Sequence, residues 1–586
     1  MWGRIASCAR VCNPRRAPIR NRRAGCKPAR RAQQFCAFLF AITCLPLAAS
    51  EPDLILKDGR IWTGDAGQPW AEAVAIRRNR IVAVGDNLQV AATAGPHTHV
   101  VDLNGRLTIP GFDDSHAHLI RGALHLLRVD LAGACNIGEM QKRIRDFAAA
   151  HPKDPWIVGS GWAYSCFANR TLPTRGDLDA AVKDRPAYLT AEDGHTAWVN
   201  TKAMQLAGIT KATRYAGPGR IVTDAAGEPT GALSGGAAAL VHKLVPEIPR
   251  DRKLAVLEQA ARMLSSLGVT SIENAGGDDE TLALLEDLER QHKLNLRVAV
   301  YMSVSPPSMP DAIDRILELR QASHEPHVRI AGVDLALDGQ IEAHSAAMLE
   351  PYADAAGARG NLLWSQEAFN EMVTLCDSGG LQVAAHAVGD RAVRMALDGY
   401  EYARHANESH DARFRIEHAE AIAPADIARF ARLGVVASMI PAHADPGAVD
   451  AWSRAVGPER LKLAFAWHSL EQAGARLVFG SDWPATGSAD PIRGIHAAVN
   501  RQTVDGSPRD GWVPAQRIGV EEALRAWTVT GAYATFDNRS RGKLRPGMLA
   551  DIVVLSQDLF EIPSPQIWKT HVDMTVFDGQ VVYTRQ

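Results

Sequence analysis

The sequence predicts a parallel α/β barrel flanked by a small antiparallel unit, and two observations carry that prediction. Four strand-like segments each end in a side chain able to bind a metal, as the strands of a barrel do when their C-terminal ends share one rim. Between them, apolar runs rich in β-branched residues alternate with helical stretches such as residues 251–267 and 367–378, the βαβα rhythm of a parallel sheet. Barrel strands are expected near 107–112, 269–274, 296–302, 333–338, 382–386, 414–418, 435–440 and 477–482.

The first rim segment is Ile109-Pro-Gly-Phe-Asp-Asp-Ser-His-Ala-His-Leu119. It places His116 and His118 two residues apart, so on an extended chain both rings face one side and can reach one ion. Pro110-Gly111 and the surrounding polar residues suit a strand opening into a loop. A bare His-x-His is often no more than two surface histidines. Three further segments argue otherwise: Leu381-Gln-Val-Ala-Ala-His386, Phe414-Arg-Ile-Glu-His418 and Leu477-Val-Phe-Gly-Ser-Asp482. Each is an apolar run that ends in a donor and is followed by small or turn-forming residues. Four histidines and Asp482 in matching contexts point to a divalent metal site of hydrolytic type.

The chain ends read as antiparallel strands: residues 54–63 and 75–85 at one end, 550–555 and 572–583 at the other. The two ends can form one composite β-sandwich, assigned to residues 51–106 and 540–586, with the barrel over 107–539. Residues of about 125–245 are too long for one crossover and rich in Gly, Pro and Trp. They are expected to be an insertion after strand one that lids the site.

The chain has 586 residues, 46% hydrophobic and 22% charged, enough to bury a large core. Its formal charge of −2 hides an asymmetry. Residues 1–50 hold ten of the 64 Lys and Arg and no acidic residue, leaving 54 basic against 66 acidic residues, a formal charge of −12. That balance speaks against nucleic-acid binding. Within the basic segment, Arg30-Arg31 precedes an apolar run from Phe35 to Ala48 and small residues to Ser50, the pattern of a cleaved signal peptide. The run is too short for a comfortable membrane span. A periplasmic or secreted bacterial protein is therefore expected, with the export route open between general secretion and a twin-arginine signal. Five of the eight cysteines, Cys8, Cys12, Cys26, Cys36 and Cys44, lie in this segment. The remaining Cys135, Cys166 and Cys376 are odd in number and widely spaced, so no disulfide framework is read from them.

The chain resembles the amidohydrolase superfamily, and within it the branch of amidohydrolase family 3 that includes YtcJ-like proteins and N-substituted formamide deformylases. The likeness runs from about Asp53 to the C-terminus. Beyond the donors it rests on Gly194-His-Thr-Ala-Trp-Val-Asn200, Gly227-Glu-Pro-Thr-Gly-Ala-Leu233, His386-Ala-Val-Gly-Asp-Arg-Ala392, Arg415-Ile-Glu-His418 and Gly480-Ser-Asp-Trp-Pro484. It implies a distorted (β/α)8 TIM barrel with one or two divalent ions, usually zinc, and hydrolysis of an amide-type C–N bond in a small N-acyl or N-formyl substrate. By the same likeness Trp162, His195, Trp198 and Asn200 are placed near substrate, with simple packing as the alternative for Trp198. His195 is a candidate to steady an oxyanion, with structural hydrogen bonding as the equal alternative. Asp482 is the expected metal ligand and proton acceptor. Arg391 and Arg415 are given supporting roles.

One position departs from the pattern. Where many relatives carry a carboxylated lysine on the fourth strand, this chain has Asp334 in Gly332-Val-Asp-Leu-Ala-Leu-Asp-Gly339. Three readings stay open: Asp334 ligates a metal, Glu273 supplies the missing carboxylate, or the site holds a single ion, the reading favoured. Asp338 is expected to be a turn residue. The scaffold would also support deamination, ester hydrolysis or carbon–carbon cleavage, and a binding protein with a degraded site is a further alternative. A homodimer is left open.

Overall fold

A computed structural model describes residues 51–167, 172–306, 309–408 and 410–586. The export segment expected over residues 1–50 lies outside them. Eight parallel strands form the barrel sheet in chain order: β1 (Phe112–Ala117), β2 (Val269–Gly277), β3 (Arg297–Ser303), β4 (Val328–Ala336), β5 (Gln382–Ala387), β6 (Arg415–His418), β7 (Val436–Met439) and β8 (Arg476–Phe479). Their central residues are buried on both faces, which explains the near-continuous apolar runs in the sequence. Beyond the end of β8 the chain closes the ring against β1. Asp482 N–H donates to His116 O at 2.7 Å, and His118 N–H donates to Trp483 O at 2.9 Å. Gly480 makes this approach possible, since a Cβ there would stand 2.5 Å from the backbone nitrogen of His116.

Helices cover the barrel in the expected alternation, and local chemistry sets their ends. Asp278 caps the helix Asp279–Arg290 by accepting from Thr281 N–H at 2.8 Å. Pro424 opens the helix Pro424–Leu433, and Gly434 closes it in the left-handed conformation (φ 67°), turning the chain into β7.

The two ends of the region Glu51–Gln586 meet in a six-stranded sheet ordered Gln580–Thr584, Val572–Phe577, Ile552–Leu555, Leu107–Pro110, Arg60–Trp62 and Trp70–Ala71. It packs on a four-stranded sheet (Arg80–Gly85, Ala73–Arg77, Leu54–Lys57, His99–Asp102) through Leu56, Ile61, Val74, Ile76, Ile552 and Val554. The first barrel strand is thereby corrected. Residues 107–110 belong to the sandwich, pairing with Ile552–Leu555, and the barrel strand begins at Phe112. Gly111 marks the crossing, where a Cβ would meet the Thr270 side chain at 2.2 Å. The run Leu107–Phe112 is apolar on both sides of that glycine, so hydropathy alone does not divide it. The eighth strand likewise ends at Phe479, not at 482.

The insertion folds around its own mixed six-stranded sheet, ordered Gly219–Thr223, Pro229–Gly235, Thr196–Val199, Ala187–Ala191, Ile157–Trp162 and Val129–Asp130. Cys135 and Cys166 form a disulfide across 31 residues, correcting the expectation that no disulfide was to be read. Spacing did not show it because the pairing depends on the fold, which brings the start of the helix Ile137–Ala150 beside the turn Tyr164–Cys166. Among the described residues, no helix is long and apolar enough to cross a membrane.

Candidate active site

His116, His118, His386, His418 and Asp482 all reach the rim at the C-terminal ends of the barrel strands. The His116 ring centroid lies 5.4 Å from that of His118, 4.8 Å from His386 and 5.1 Å from His418. Donor atoms of His116, His118 and Asp482 fall within 4.8 Å of one another, as do those of His116, His386 and His418. His418 and Asp482 turn into the site on left-handed backbone (φ 72° and 53°), a conformation that costs free energy and is common at functional sites.

The hydrogen bonds decide which nitrogens remain available. His116 Nδ1 is 2.8 Å from Glu417 Oε2, and His118 Nδ1 is 3.1 Å from Ala275 O, so Nε2 of each ring faces the centre. Such bonds fix the tautomer and orientation of a ligating imidazole. His118 Nε2 stands 3.3 Å from Asp482 Oδ1, and His116 Nε2 stands 3.8 Å from it. His116 Nε2 and His418 Nδ1 are buried without a hydrogen-bond partner, which is costly unless a further group satisfies them. Buried imidazole nitrogens around a carboxylate are the donor set that a divalent ion such as zinc takes.

Charge below the rim is arranged to support this. Burial works against the Glu417 carboxylate, but Arg415 and His116 outweigh it and hold its pKa far below the usual range. Burial likewise opposes the charge of Asp482, yet the histidines around it, His118 and His443 foremost, hold its pKa well below the usual carboxylate range. Burial alone would lower the pKa of His386; the Asp334 carboxylate, 2.6 Å from Nε2, instead raises it to about 9.

The other expected residues fall as follows. Asp334 lies at the edge of the cluster, with Oδ1 against His386 and Oδ2 accepting from Gly276 N–H at 2.9 Å. Glu273 is corrected: its carboxylate is the buried counter-ion of Arg415 inside the barrel and belongs to none of the donor groups. Arg415 also donates to Glu417 Oε1 at 2.8 Å and Ser115 O at 2.6 Å, the supporting role expected of it. Arg391 is exposed. Asp338 ties loops together, accepting from the N–H groups of Ala347, Val388 and Gly389.

Two substrate-site expectations are corrected as well. Trp162 is wholly buried in the core of the insertion, donating from Nε1 to Leu189 O at 3.2 Å. Asn200 is buried and caps the helix Thr201–Leu206, with its amide used up by Ala187, Ala203, Val182 and Arg185. Both sit in the insertion because it has a core of its own to fill, which motif likeness does not reveal. His195 stands exposed at the turn before Thr196–Val199, its N–H held by Asp193 Oδ1 at 2.8 Å.

His443 and Glu420 were missed from sequence. His443 lies on the short turn Pro441–Ala444 that follows β7, with Nε2 3.3 Å from Asp482 Oδ2 and Nδ1 2.9 Å from Glu420 Oε1. The signal was present: a histidine just past the seventh strand, on the same rim. Pro441 hides it, because a proline breaks the apolar run of β7 before the histidine is reached.

Comparison with known proteins agrees with this geometry. The model of the Amidohydrolase family matches residues 99–583. The chain is 33% identical to Protein LONG AFTER FAR-RED 3 of Arabidopsis thaliana, covering 92% of this chain and 93% of that one. It is 30% identical to the putative amidohydrolase YtcJ of Bacillus subtilis (88% and 96% covered) and 26% identical to the N-substituted formamide deformylase of Arthrobacter pascens (91% and 98% covered). Among solved structures, an uncharacterized metal-dependent hydrolase from Pyrococcus furiosus is 30% identical with a TM-score of 0.69, over 86% of this chain and 99% of that chain.

Proposed function

Because the chain belongs to the amidohydrolase family, in its YtcJ-like and formamide deformylase-like branch, and is a metal-dependent hydrolase acting on carbon–nitrogen bonds, we propose that it hydrolyses a small N-formyl or N-acyl amide, using one divalent ion, most simply zinc. The observation that carries the reading is the convergence of four histidines and Asp482 on one rim around buried, unpartnered nitrogens. The substrate class is supported by the likeness to the formamide deformylase over nearly the full length of both chains.

When bound, the ion supplies Lewis acidity, polarising a carbonyl and making water acidic enough to attack near neutral pH. His116, His118 and Asp482 would hold it, with His386 and His418 facing it from β5 and β6. A single ion is favoured because His116 offers only Nε2, its Nδ1 being engaged by Glu417, so the two donor groups that share this ring cannot each take it at once. Asp334 is shorter than a carboxylated lysine, and its oxygens already meet His386 and Gly276. Asp482 accepts the proton of the attacking water and returns it to the leaving amine, for which its ionised state suits it.

We further propose export to the periplasm or exterior. The basic and apolar pattern of residues 1–50 supports it, and so does the Cys135–Cys166 disulfide, since such bonds persist in oxidising compartments.

The test is product analysis with N-substituted formamides and N-acyl amines. The expected result is stoichiometric release of the acid and the amine. Release of ammonia instead would point to deamination. Asp482→Asn is expected to lower kcat by about 10³-fold or more, with KM changed far less.

A further inference from the structure

The two oxygens of Asp482 face different partners. Oδ1 looks toward His118 Nε2 at 3.3 Å and His116 Nε2 at 3.8 Å, whereas Oδ2 meets His443 Nε2 at 3.3 Å. His443 is gripped from behind by Glu420 Oε1 at 2.9 Å, and Trp452 Nε1–H donates to Glu420 Oε2 at 2.8 Å. Glu420 and Trp452 are buried, and the His443 ring lies nearly parallel to that of His418, 9° apart with centroids at 5.5 Å. The row Trp452, Glu420, His443, Asp482 thus runs through two hydrogen bonds and a 3.3 Å ion-pair contact, and ends on the oxygen opposite the one that faces His116 and His118.

We propose that His443 is a positioning residue: it holds Asp482 through Oδ2 so that Oδ1 stays turned toward His116 and His118, while Glu420, fixed by Trp452, sets the orientation of His443. The proposal rests on the reading of Asp482 as a metal ligand. Its physical basis is that the terminal torsion of an aspartate is broad, and Asp482 lies beyond its strand in a loop, so its backbone alone leaves the carboxylate plane free to turn. A donor on one oxygen removes that freedom before the ion arrives. Outer groups of this kind typically contribute 10–100-fold to metal affinity.

The full-length protein, stripped of metal with a chelator, is titrated with zinc against a competing indicator. His443→Leu should weaken zinc binding about 10–100-fold. His443→Gln, whose amide N–H can stand where Nε2 stood, should restore most of the affinity, and Glu420→Gln should give a smaller loss in the same direction. The Asp482→Ala background separates the routes. If His443 acts through Asp482, adding His443→Leu to Asp482→Ala changes nothing more. If the two losses add, His443 acts on the ion or the fold by another path and the proposal is overturned. Unchanged affinity in His443→Leu overturns it alone, whereas unchanged affinity in Asp482→Ala overturns the reading of Asp482 beneath it. Should the leucine variant not fold, His443→Asn, too short to reach Oδ2, takes its place with the same expected outcomes.

Discussion

Arg415 carries its charge with no access to water, between Glu273 and Glu417, and donates also to Ser115 O, Ser438 Oγ and Tyr301 OH. The net gain from such a buried cluster is modest, but its disruption is costly because the remaining charges lose their partner. Arg415→Met should therefore lower stability by about 3–5 kcal/mol in urea unfolding. Glu273→Gln should cost less, about 1–3 kcal/mol, since Glu417 still faces the guanidinium. Metal content distinguishes the roles: Glu273→Gln should keep it, and His118→Ala should lose much of it. Loss of metal in Glu273→Gln would restore that carboxylate as a ligand. At this scale the donors His116, His118, His386, His418 and Asp482 were legible in sequence because each closes or shortly follows an apolar strand-like run. Glu420 and His443 were not, since Pro441 separates His443 from the run of β7 and only the turn that follows carries it to Asp482, with Glu420 meeting it there.

The elements show where pattern reading succeeds and where it stops. Alternating strands and helices with donors at strand ends sufficed to infer the barrel. The boundary between sandwich and barrel did not emerge, because it depends on pairing partners on either side of Gly111, not on hydropathy. The insertion was recognised by its length, yet the use of its residues was not: Trp162 and Asn200 serve its own packing. Its disulfide joins cysteines 31 positions apart, for which loop-closure entropy gives about 3–4 kcal/mol. Cys135→Ser with Cys166→Ser should accordingly make the insertion the first part to yield to protease, while the barrel stays intact. Equal protease resistance with and without the bond would contradict this.

Across the whole molecule, the base of the barrel is tied to the sandwich by charge. His327, just before β4, lies 2.9 Å from Glu289 and 3.7 Å from Asp578, and Arg297 from β3 also reaches Asp551 and Asp578. Burial alone would lower the His327 pKa, but Asp578 and Glu289 outweigh both burial and the opposing Arg297, raising it to about 9. Its folded pKa thus exceeds the ordinary 6.5, so its stabilising effect is full below about pH 6.5 and fades as pH rises toward 9. Wild-type stability should fall across that window by roughly 1–2 kcal/mol more than that of His327→Gln. Parallel pH profiles for the two proteins would refute the tie. Above this base stands the rim, on which the whole account depends. The most direct measurement is the metal content of purified protein by elemental analysis, paired with turnover of an N-substituted formamide before and after chelation. About one divalent ion per chain is predicted, with activity lost on its removal and regained on its return. Full activity in metal-free protein would contradict the central claim.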